Sequence, residues 1–358
     1  MRYSTATQKE GNFKLMLDEK KLCCTVERVV TKELFNEWHA LWTKQKGHYF
    51  NSPYWYKASI DAFAIKERDM YLFICREKGE LVGVLPLIRG KKYGLDCLQF
   101  PGEQYLDQAC ILIFDQRVDV TKSLVETAKS TRMLIYLSEV REVHLFDQCK
   151  FFEKSSSECP YLNMRTGPFQ EMKPKKYRRR KNKIKKNSEQ LEFKVFEGED
   201  VAEHIDVMFE VEKNSPKAKR NEDIFSDKYA RKLYENIIDQ GDGAVLAVLY
   251  YNSKAVAHLF ALRGGDSITD IHTAYVEGYK TLSPGTLLLL QFIEHVSNDK
   301  GVRTYDLSRG MTVQKKEYTS KVNKQYDVYI AHSVVMSTLV RSIFNCREIL
   351  KRIKWKSC

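Results

Sequence analysis

The stretch Gly278–Thr286, together with the apolar run after it, constrains the fold of this chain more than any other segment. Ser283 is a favoured helix N-cap, Pro284 suits a first helical position because no N–H is needed there, and Gly285 leaves room for another group. The apolar residues that follow recur at helical spacing: Leu289, Phe292, Ile293 and Val296. Gly301 is expected to end the helix in the left-handed conformation before a strand at 302–307. The segment therefore predicts a strand, a tight loop, a helix and a second strand, which is a unit of an α/β fold.

The start of this predicted helix has two interpretations. Its first N–H groups and the positive end of the helix dipole would form a site for phosphate. An ordinary capped helix in an α/β layer has the same sequence pattern. The loop by itself does not decide between them.

Length and composition indicate a globular protein. With 358 residues, 43% of them hydrophobic, the chain is long enough for two domains with full cores. It contains no run of 18 apolar residues, and its polar start lacks the apolar centre of a signal peptide, so we expect a cytoplasmic protein. Nine cysteines are scattered without a Cys-x-x-Cys pair, and no histidine stands at metal-ligand spacing. This pattern predicts reduced thiols and no metal site.

The net charge of +12 is concentrated in one segment. Residues 173–187 hold ten Lys or Arg and no acid, and the remainder has 49 basic and 47 acidic residues. Such a run is often a solvated linker or helix face, but it also suits RNA, an anionic membrane or a phosphorylated substrate. Because Tyr177 is its one aromatic residue, it does not offer a platform for stacked bases. We expect a basic helix anchored by Tyr177 and Ile184, in which Arg178 to Lys181 face a cleft and Arg178 and Arg179 bind acceptor or coenzyme phosphates.

The same order of elements occurs in both halves of the chain. Each half has two predicted helices, a hairpin (71–87 and 244–261), further strands and a helix, with short strands also predicted at 133–137 and 143–146. Ser-rich and Pro-containing sequence at 155–173 predicts the boundary between them. We therefore expect a polar tail at 1–20, a first domain at 21–165, a second at 166–332 and a basic helix at 333–358.

Several pieces of the sequence resemble one family. Ser52–Trp55, Glu80–Leu87 and Tyr105–Asp107 in the first half, with Leu282–Leu288 and Tyr305–Gly310 in the second, are similar to the CelD/BcsL-type acetyltransferases of the GNAT superfamily, which carry a BioF2-like acetyltransferase domain. These proteins occur around bacterial polysaccharide and cellulose synthesis and share a layout with the tandem-GNAT Fem transferases. The similarity spans about residues 34–329.

One part of the sequence departs from the family pattern. After Gly310, where an acidic residue and a Tyr-Lys pair are usual, this chain has Met311 and Gln314–Lys315. The departure concerns the identity of the acceptor more than the fold.

The resemblance implies a mixed α/β fold of two tandem GNAT-like domains, the second of which binds acyl-CoA, with acetyl-CoA as the expected co-substrate. In this fold two central strands splay apart for the pantetheine arm, and the next helix start receives the pyrophosphate. The coenzyme-binding residues are then Leu282, Ser283, Pro284, Gly285 and Thr286. Arg309 and Lys315 are candidates for binding the acceptor. The first half lacks a phosphate loop after Asp107, so we expect it to be degenerate and to form one wall of the acceptor cleft.

Acylation of an amine requires a positioned thioester, a base for the ammonium proton and donors for the oxyanion. The candidate catalytic residues are Asp270, His272 and Asp306. Alternation along the strand 267–275 predicts Asp270 and His272 on one face, as a catalytic or a purely structural pair. Asp306 either orients the acceptor or forms a local ion pair with Arg309. His258 is expected in the core, and without a nucleophilic motif direct transfer in a ternary complex is predicted.

Three functions remain open on the sequence. The first is an acyl-CoA-dependent N-acyltransferase that acts on an amino group of a sugar or polysaccharide precursor. The second is Fem-like aminoacyl transfer from charged tRNA, for which the basic segment is the relevant feature. The third is a non-catalytic GNAT-like component of a polysaccharide synthesis system. In the first case the partner is a small molecule or a glycan precursor.

The C-terminal segment is predicted to be an amphipathic basic helix. Its apolar residues are Val335, Leu339, Ile343, Ile349, Leu350 and Ile353. Such a helix packs across its own domain or lies on an anionic membrane surface, and both alternatives stay open at this point.

Overall fold

The computed structural model describes residues 22–109, 111–170 and 172–356, and for 347–356 it describes the backbone alone. The predicted polar tail at 1–20 therefore lies outside the described residues. The helices are α1 Lys32–Lys44, α2 Pro53–Ala62, α3 Val118–Lys129, α4 Pro174–Lys186, α5 Ile205–Lys213, α6 Pro216–Lys219, α7 Lys228–Asp239, α8 Pro284–Ser297 and α9 Val334–Lys356. The strands are β1 Leu22–Glu27, β2 Met70–Glu77, β3 Glu80–Lys92, β4 Leu95–Gln99, β5 Leu112–Ile113, β6 Leu134–Val140, β7 Phe152–Asn163, β8 Leu191–Glu197, β9 Ala244–Tyr251, β10 Lys254–Gly264, β11 Ser267–Tyr275, β12 Thr304–Asp306 and β13 Val322–Ile330.

The thirteen strands of the described residues form one mixed sheet. Its order is β1-β2-β3-β4-β6-β13-β7-β12-β11-β10-β9-β8, and β5 pairs with β3. Most neighbours are antiparallel, but β4 with β6 and β11 with β12 are parallel. Each parallel pair is bridged by a helix, α3 in the first half and α8 in the second, as a crossover connection requires. The predicted mixed α/β fold is confirmed.

The two halves exchange their last strands. By chain order β7 would continue the first half and β13 the second, yet β13 lies between β6 and β7. Strand β7 then pairs with β12 of the second half on its other side. The sheet is therefore continuous through both halves, and the domain limits predicted at residues 165 and 166 stay a prediction.

Two segments have a local structure that differs from the expectation. The Ser-rich stretch from Ser155, expected to interrupt the regular pattern, is strand up to Asn163, because it gains hydrogen-bonding partners on both sides that composition does not reveal. The segment Val143–Phe146, predicted as a strand, is a 3-10 helix with Leu145 and Phe146 buried. The two predicted hairpins are present as β2 with β3 and β9 with β10.

Helices from both halves pack against each other. Trp55 and Ala58 of α2 belong to the same buried apolar cluster as Leu233 and Tyr234 of α7. The side-chain amide of Asn236 donates a hydrogen bond of 3.1 Å to the carbonyl of Ala58. A second cluster lies under α8, whose apolar face is buried as the helical spacing predicts. Burial of each such side chain contributes about 1.5–3 kcal/mol, so both the crossover helix and the junction of the halves are well anchored.

The C-terminal helix α9 packs on the sheet through part of its length. Val340 is fully buried, and the guanidinium of Arg341 lies 5.0 Å from the ring centre of Phe152. Val334, Val335 and Leu339 are exposed. The predicted apolar residues Ile349, Leu350 and Ile353 lie beyond the described side chains. Within the described residues every helix is too short or too polar to cross a bilayer, and contact of α9 with a membrane surface stays a prediction.

Candidate functional site

Strands β11 and β12 pair over a short distance and then separate. The parallel pairing covers Ser267–Thr304, Ile268–Tyr305 and Thr269–Asp306, where β12 ends. Strand β11 continues to Tyr275 and is paired beyond Thr269 with β10 alone. Within the described residues this free edge of β11 has no strand partner, although the carbonyl of Thr273 accepts a hydrogen bond from Lys217. The separation of the two strands is the splay that the resemblance predicts for a pantetheine arm.

Helix α8 begins at the end of this free edge. Its first residue is Pro284, as predicted, but Ser283 adopts a left-handed conformation with φ 57° and its side chain caps no N–H group. The prediction of Ser283 as a side-chain cap is wrong, because its backbone is left-handed instead of in the extended conformation usual for a side-chain N-cap. The first turn consequently has no side-chain acceptor, which is the state in which a helix start binds an anion.

The far end of α8 differs from the prediction as well. The helix stops at Ser297 with Asn298 as C-cap, and Gly301 is not in the left-handed region. The backbone N–H of Gly301 instead donates to the carboxylate of Asp299, 2.7 Å away. A side-chain acceptor therefore organises this turn.

A basic surface cavity adjoins the start of α8. It has a volume of about 560 Å³ and is lined by Asn182, Lys183, Lys186, Asn187, Tyr251, Gly278, Tyr279, Thr281 and Leu282. The ammonium group of Lys183 donates a 2.7 Å hydrogen bond to the carbonyl of Thr281, so helix α4 is fixed against this loop. Burial and the neighbouring Arg179 lower the pKa of Lys183.

Helix α4 places its basic residues differently from the prediction. Tyr177 and Ile184 pack against the core below α8, as expected. Arg178 and Arg179 are exposed and do not line the cavity. Arg180 is buried against Glu317, Lys176 pairs with Glu317 and Lys181 pairs with Glu294. The expectation that 178–181 face a cleft together is wrong, because Glu317 and Glu294 of the second half pair with Arg180 and Lys181. The basic residues that line the cavity are Lys183 and Lys186, which were not among the predicted site residues.

Asp270 and His272 do not share a face of β11. Phe260 of β10 faces His272, and the next residue, Ala261, faces Asp270, so that Ile271 forms a β-bulge. A bulge inserts one residue and reverses the alternation beyond it. Asp270 therefore lies on the side of α8, with Thr273 and Tyr275, and His272 lies on the opposite side, against Phe225.

Asp270 lies where β11 and β12 separate. Its carboxylate accepts hydrogen bonds from Thr273 Oγ1 at 3.3 Å and from the hydroxyl of Tyr305 at 3.4 Å. Burial raises the pKa of Asp270 to about 7, although Lys315 and the two hydroxyls act in the opposite direction. A carboxyl group with such a pKa can exchange a proton at neutral pH.

Asp306 and Arg309 each bind a residue of the first half rather than one another. Asp306 is buried and pairs with Arg141 at 2.5 Å. Arg309 Nε donates to Asp107 at 2.9 Å, and burial raises the pKa of Asp107 against the opposing effect of Arg309. The alternative of a local Asp306–Arg309 pair is wrong, because the exchanged strands bring these partners closer.

Lys315 is also held in place. Its ammonium group donates to the carbonyls of Ser308 and Arg309, at 3.2 and 2.8 Å. The next residue toward the N-terminus, Gln314, donates to the hydroxyl of Thr286 at the start of α8, at 3.4 Å. The segment after Gly310 therefore closes one side of the site.

A buried acid and two histidines lie on the other face of β11. Glu212 of α5 is 3.0 Å from His272 Nε2 and 3.7 Å from His258 Nε2. Burial would raise the pKa of Glu212, but the two imidazoles outweigh this effect and lower it. Burial lowers the pKa of His258 to about 4, and His258 is in the core as predicted. Glu212 carried no signal in the sequence, since only the fold brings α5 onto the two strands.

Comparisons with known structures agree on the fold. FemX matches with a TM-score of 0.61 and 11% identity, over 83% of this chain and 96% of that chain. L-PGS from Bacillus licheniformis matches with a TM-score of 0.56 and 12% identity, over 87% and 96%. The DUF2156 domain of an Agrobacterium fabrum protein matches with a TM-score of 0.57 and 12% identity, over 87% and 95%. At such low identity the likeness is one of fold.

Sequence comparisons give a match to one family over part of the chain. No curated protein sequence matches. The profile of the acetyltransferase (GNAT) domain family matches residues 173–318, which include the basic helix, the splayed strands and α8. This segment of the chain is therefore similar to acetyltransferase domains of the GNAT family.

Proposed function

We propose that the protein transfers an acyl group, with acetyl as the first choice, from acyl-CoA to an amino group of a sugar or polysaccharide precursor. The observation that carries the proposal is the free edge of β11 leading to the uncapped start of α8 beside the cavity of Lys183 and Lys186. The thioester arm would bind the backbone groups of β11, and the pyrophosphate would bind the positive end of the α8 dipole. A further phosphate would bind the ammonium groups of Lys183 and Lys186. All of these features lie within the segment that matches the GNAT family.

In the proposed reaction the acceptor nitrogen attacks the thioester carbonyl. The new C–N bond forms, the C–S bond breaks, and the sulfur leaves as the thiol of coenzyme A after taking up a proton. We assign Asp270 as the acceptor of the amine proton, directly or through one water, because it lies where the two strands part. Tyr305 and Thr273 hold its carboxylate in place.

The other two predicted catalytic residues are assigned different roles. Asp306 is covered by Arg141 and positions the junction with the first half. His272 points away from the opening, toward Glu212. Arg309, bound to Asp107, places the first half at the edge of the proposed acceptor cleft.

The test uses two substitutions of Gly285. A Cβ there would lie 3.7 Å from Tyr275 and 3.9 Å from Thr273, so Gly285→Ala fits without strain, whereas Gly285→Trp fills the space between α8 and β11. We expect Gly285→Trp to lose acetyl-CoA binding in calorimetry and Gly285→Ala to retain it. Wild-type protein should then acetylate members of a panel of amino sugars. Equal binding by Gly285→Trp and wild type would contradict the proposed site.

Aminoacyl transfer from charged tRNA is the second candidate. The observation that favours it is the exposed face of α4, where Arg178 and Arg179 pair with no acid among the described residues. Substitution of both by Gln should abolish salt-dependent tRNA binding if this candidate is right. Unchanged acetyl transfer in the same variant, together with no tRNA binding by wild type, would favour acyl-CoA.

A further inference from the structure

Glu212, His258 and His272 come together from α5, β10 and β11 on the face of the sheet that Asp270 does not use. Their exposed fractions are 0%, 0% and 8%. One ligand atom from each lies within 4.8 Å of the others, and they form the one such group of three found among the described residues. Two imidazoles and a carboxylate are a set of donors that protein zinc sites use.

The distances fit a shared ion. In a tetrahedral zinc site with bonds of about 2.0–2.1 Å, neighbouring ligand atoms lie about 3.3 Å apart. The distances from Glu212 Oε2 to His272 Nε2 and His258 Nε2 are 3.0 and 3.7 Å, on either side of that value. The three side chains therefore need only small adjustments to surround a metal ion.

The hydrogen-bond geometry points the same way. Neither carboxylate oxygen of Glu212, neither ring nitrogen of His258 and not Nε2 of His272 has a properly aligned hydrogen-bond partner within the described part of the chain. Buried polar atoms without partners are rare and costly. The ring nitrogens of His258 and His272 lie close to the carboxylate of Glu212 but do not direct an N–H at it. Ligands that share one metal ion have this arrangement.

We propose that Glu212, His258 and His272 bind one divalent transition-metal ion, with Zn²⁺ as the best fit. Three protein ligands come from elements that meet only in the folded chain, so the ion would tie α5 to the bulged part of β11. The proposal replaces the expectation, drawn from sequence spacing, that the chain has no metal site. It does not depend on the acyl-transfer proposal, since metal content is measured without any substrate.

The competing explanation is an ion pair without metal. Lys217, whose ammonium group donates to the carbonyl of Thr273 at 3.1 Å, also acts electrostatically on Glu212 and His258. Its positive charge would then balance that of Glu212. This arrangement predicts no stoichiometric uptake of metal.

The experiment uses the full chain without an affinity tag, dialysed against a chelator and then titrated with Zn²⁺ and, separately, Co²⁺. We expect one equivalent of either ion by mass spectrometry and a higher melting temperature with Zn²⁺. Bound Co²⁺ should show the visible absorption of a four- or five-coordinate site without thiolate charge-transfer bands, which distinguishes it from binding at the cysteines. Uptake well below one equivalent, or a melting temperature that Zn²⁺ does not raise, would overturn the proposal.

Two variants and one control locate the site. Glu212→Gln and His272→Asn should each reduce uptake at least tenfold, while His295→Asn, which changes an exposed histidine outside the cluster, should leave it unchanged. If Glu212→Gln does not fold, wild type and His272→Asn carry the test. Equal Co²⁺ uptake and absorption in wild type and a folded His272→Asn would show that the ion binds elsewhere.

Discussion

Arg141 and Asp306 form an ion pair across the junction of the two halves, with 2.5 Å between Nη2 and Oδ2. The side chain of Arg141 is 12% exposed and that of Asp306 is 1% exposed. Asp306 also accepts a hydrogen bond of 2.8 Å from the backbone N–H of Ser308. The pair therefore fixes the end of β12, where the proposed site opens.

Removal of one partner should destabilise the chain strongly. Arg141→Ala leaves the carboxylate of Asp306 buried without its cation, and we expect a loss of about 3–5 kcal/mol in the free energy of unfolding. The control is Arg89→Ala, which breaks the exposed pair with Asp96 and should change the free energy of unfolding far less, because solvent screens this pair. Urea unfolding measures both. Similar losses in the two variants would show that burial does not set the strength of the Arg141 pair.

Lys183 and Lys186 should matter for coenzyme binding more than Arg178 and Arg179. Each pair substituted by Gln removes the same charge from α4, but only the lysines line the cavity at the start of α8. We expect the lysine variant to raise the KM for acetyl-CoA by at least about tenfold with little change in kcat. The arginine variant serves as control and should give a small effect that disappears at high salt. The reverse order of effects would contradict this placement of the phosphates.

Asp270→Asn should lower kcat and leave coenzyme binding intact. The amide keeps the shape of the carboxylate but cannot take up the amine proton, so we expect a loss of about 10²–10⁴-fold in kcat. Acetyl-CoA binding by calorimetry and the far-ultraviolet circular dichroism spectrum should match wild type. A variant with full turnover would rule out Asp270 as the base.

Gly264 should not tolerate a side chain. A Cβ there would lie 2.3 Å from the backbone N of Tyr49 and 2.7 Å from the carbonyl carbon of His48, where the first half crosses the end of β10. Because backbone atoms cannot move aside cheaply, Gly264→Ala should lower the free energy of unfolding by about 1–3 kcal/mol. The control is Gly278→Ala, where no atom lies within 4 Å. Equal stability of the two variants in urea would mean that the halves are not in close contact at this point.

His48 should make the stability of the chain depend on pH. Burial, with a contribution from Arg141, lowers the pKa of His48 from 6.5 to about 4, against opposing effects of Asp306 and Asp266. Between these values the unfolded chain binds a proton that the folded chain does not, so the free energy of unfolding falls as the pH drops from 6.5 to 4. His48→Gln should reduce this slope in urea titrations at several pH values, and His295→Gln should retain it. Identical slopes for wild type and His48→Gln would refute the assignment to His48.

Much of the local structure could be predicted from the sequence. Pro284 and the apolar spacing through Val296 determine the start and the buried face of α8, and short apolar runs on either side of a turn determine the hairpins β2–β3 and β9–β10. These features depend on residues close together in the chain, where helical and strand periodicity act directly. The basic segment was also recognisable, because charge is a property of composition.

Long-range contacts decided the rest. The exchange of β7 and β13 depends on which strands find each other across the sheet, and the serines of β7 carry no local sign of it. The bulge at Ile271 places Asp270 and His272 on opposite faces, since it arises from pairing with Phe260 and Ala261 rather than from the sequence of β11. The sequence by itself determined the fold class, the proposed phosphate loop and the basic helix. Only the tertiary structure decided which charges are paired, Asp306 with Arg141 and Glu212 with His272, because such pairs join residues far apart in the chain that meet only when the sheet is complete.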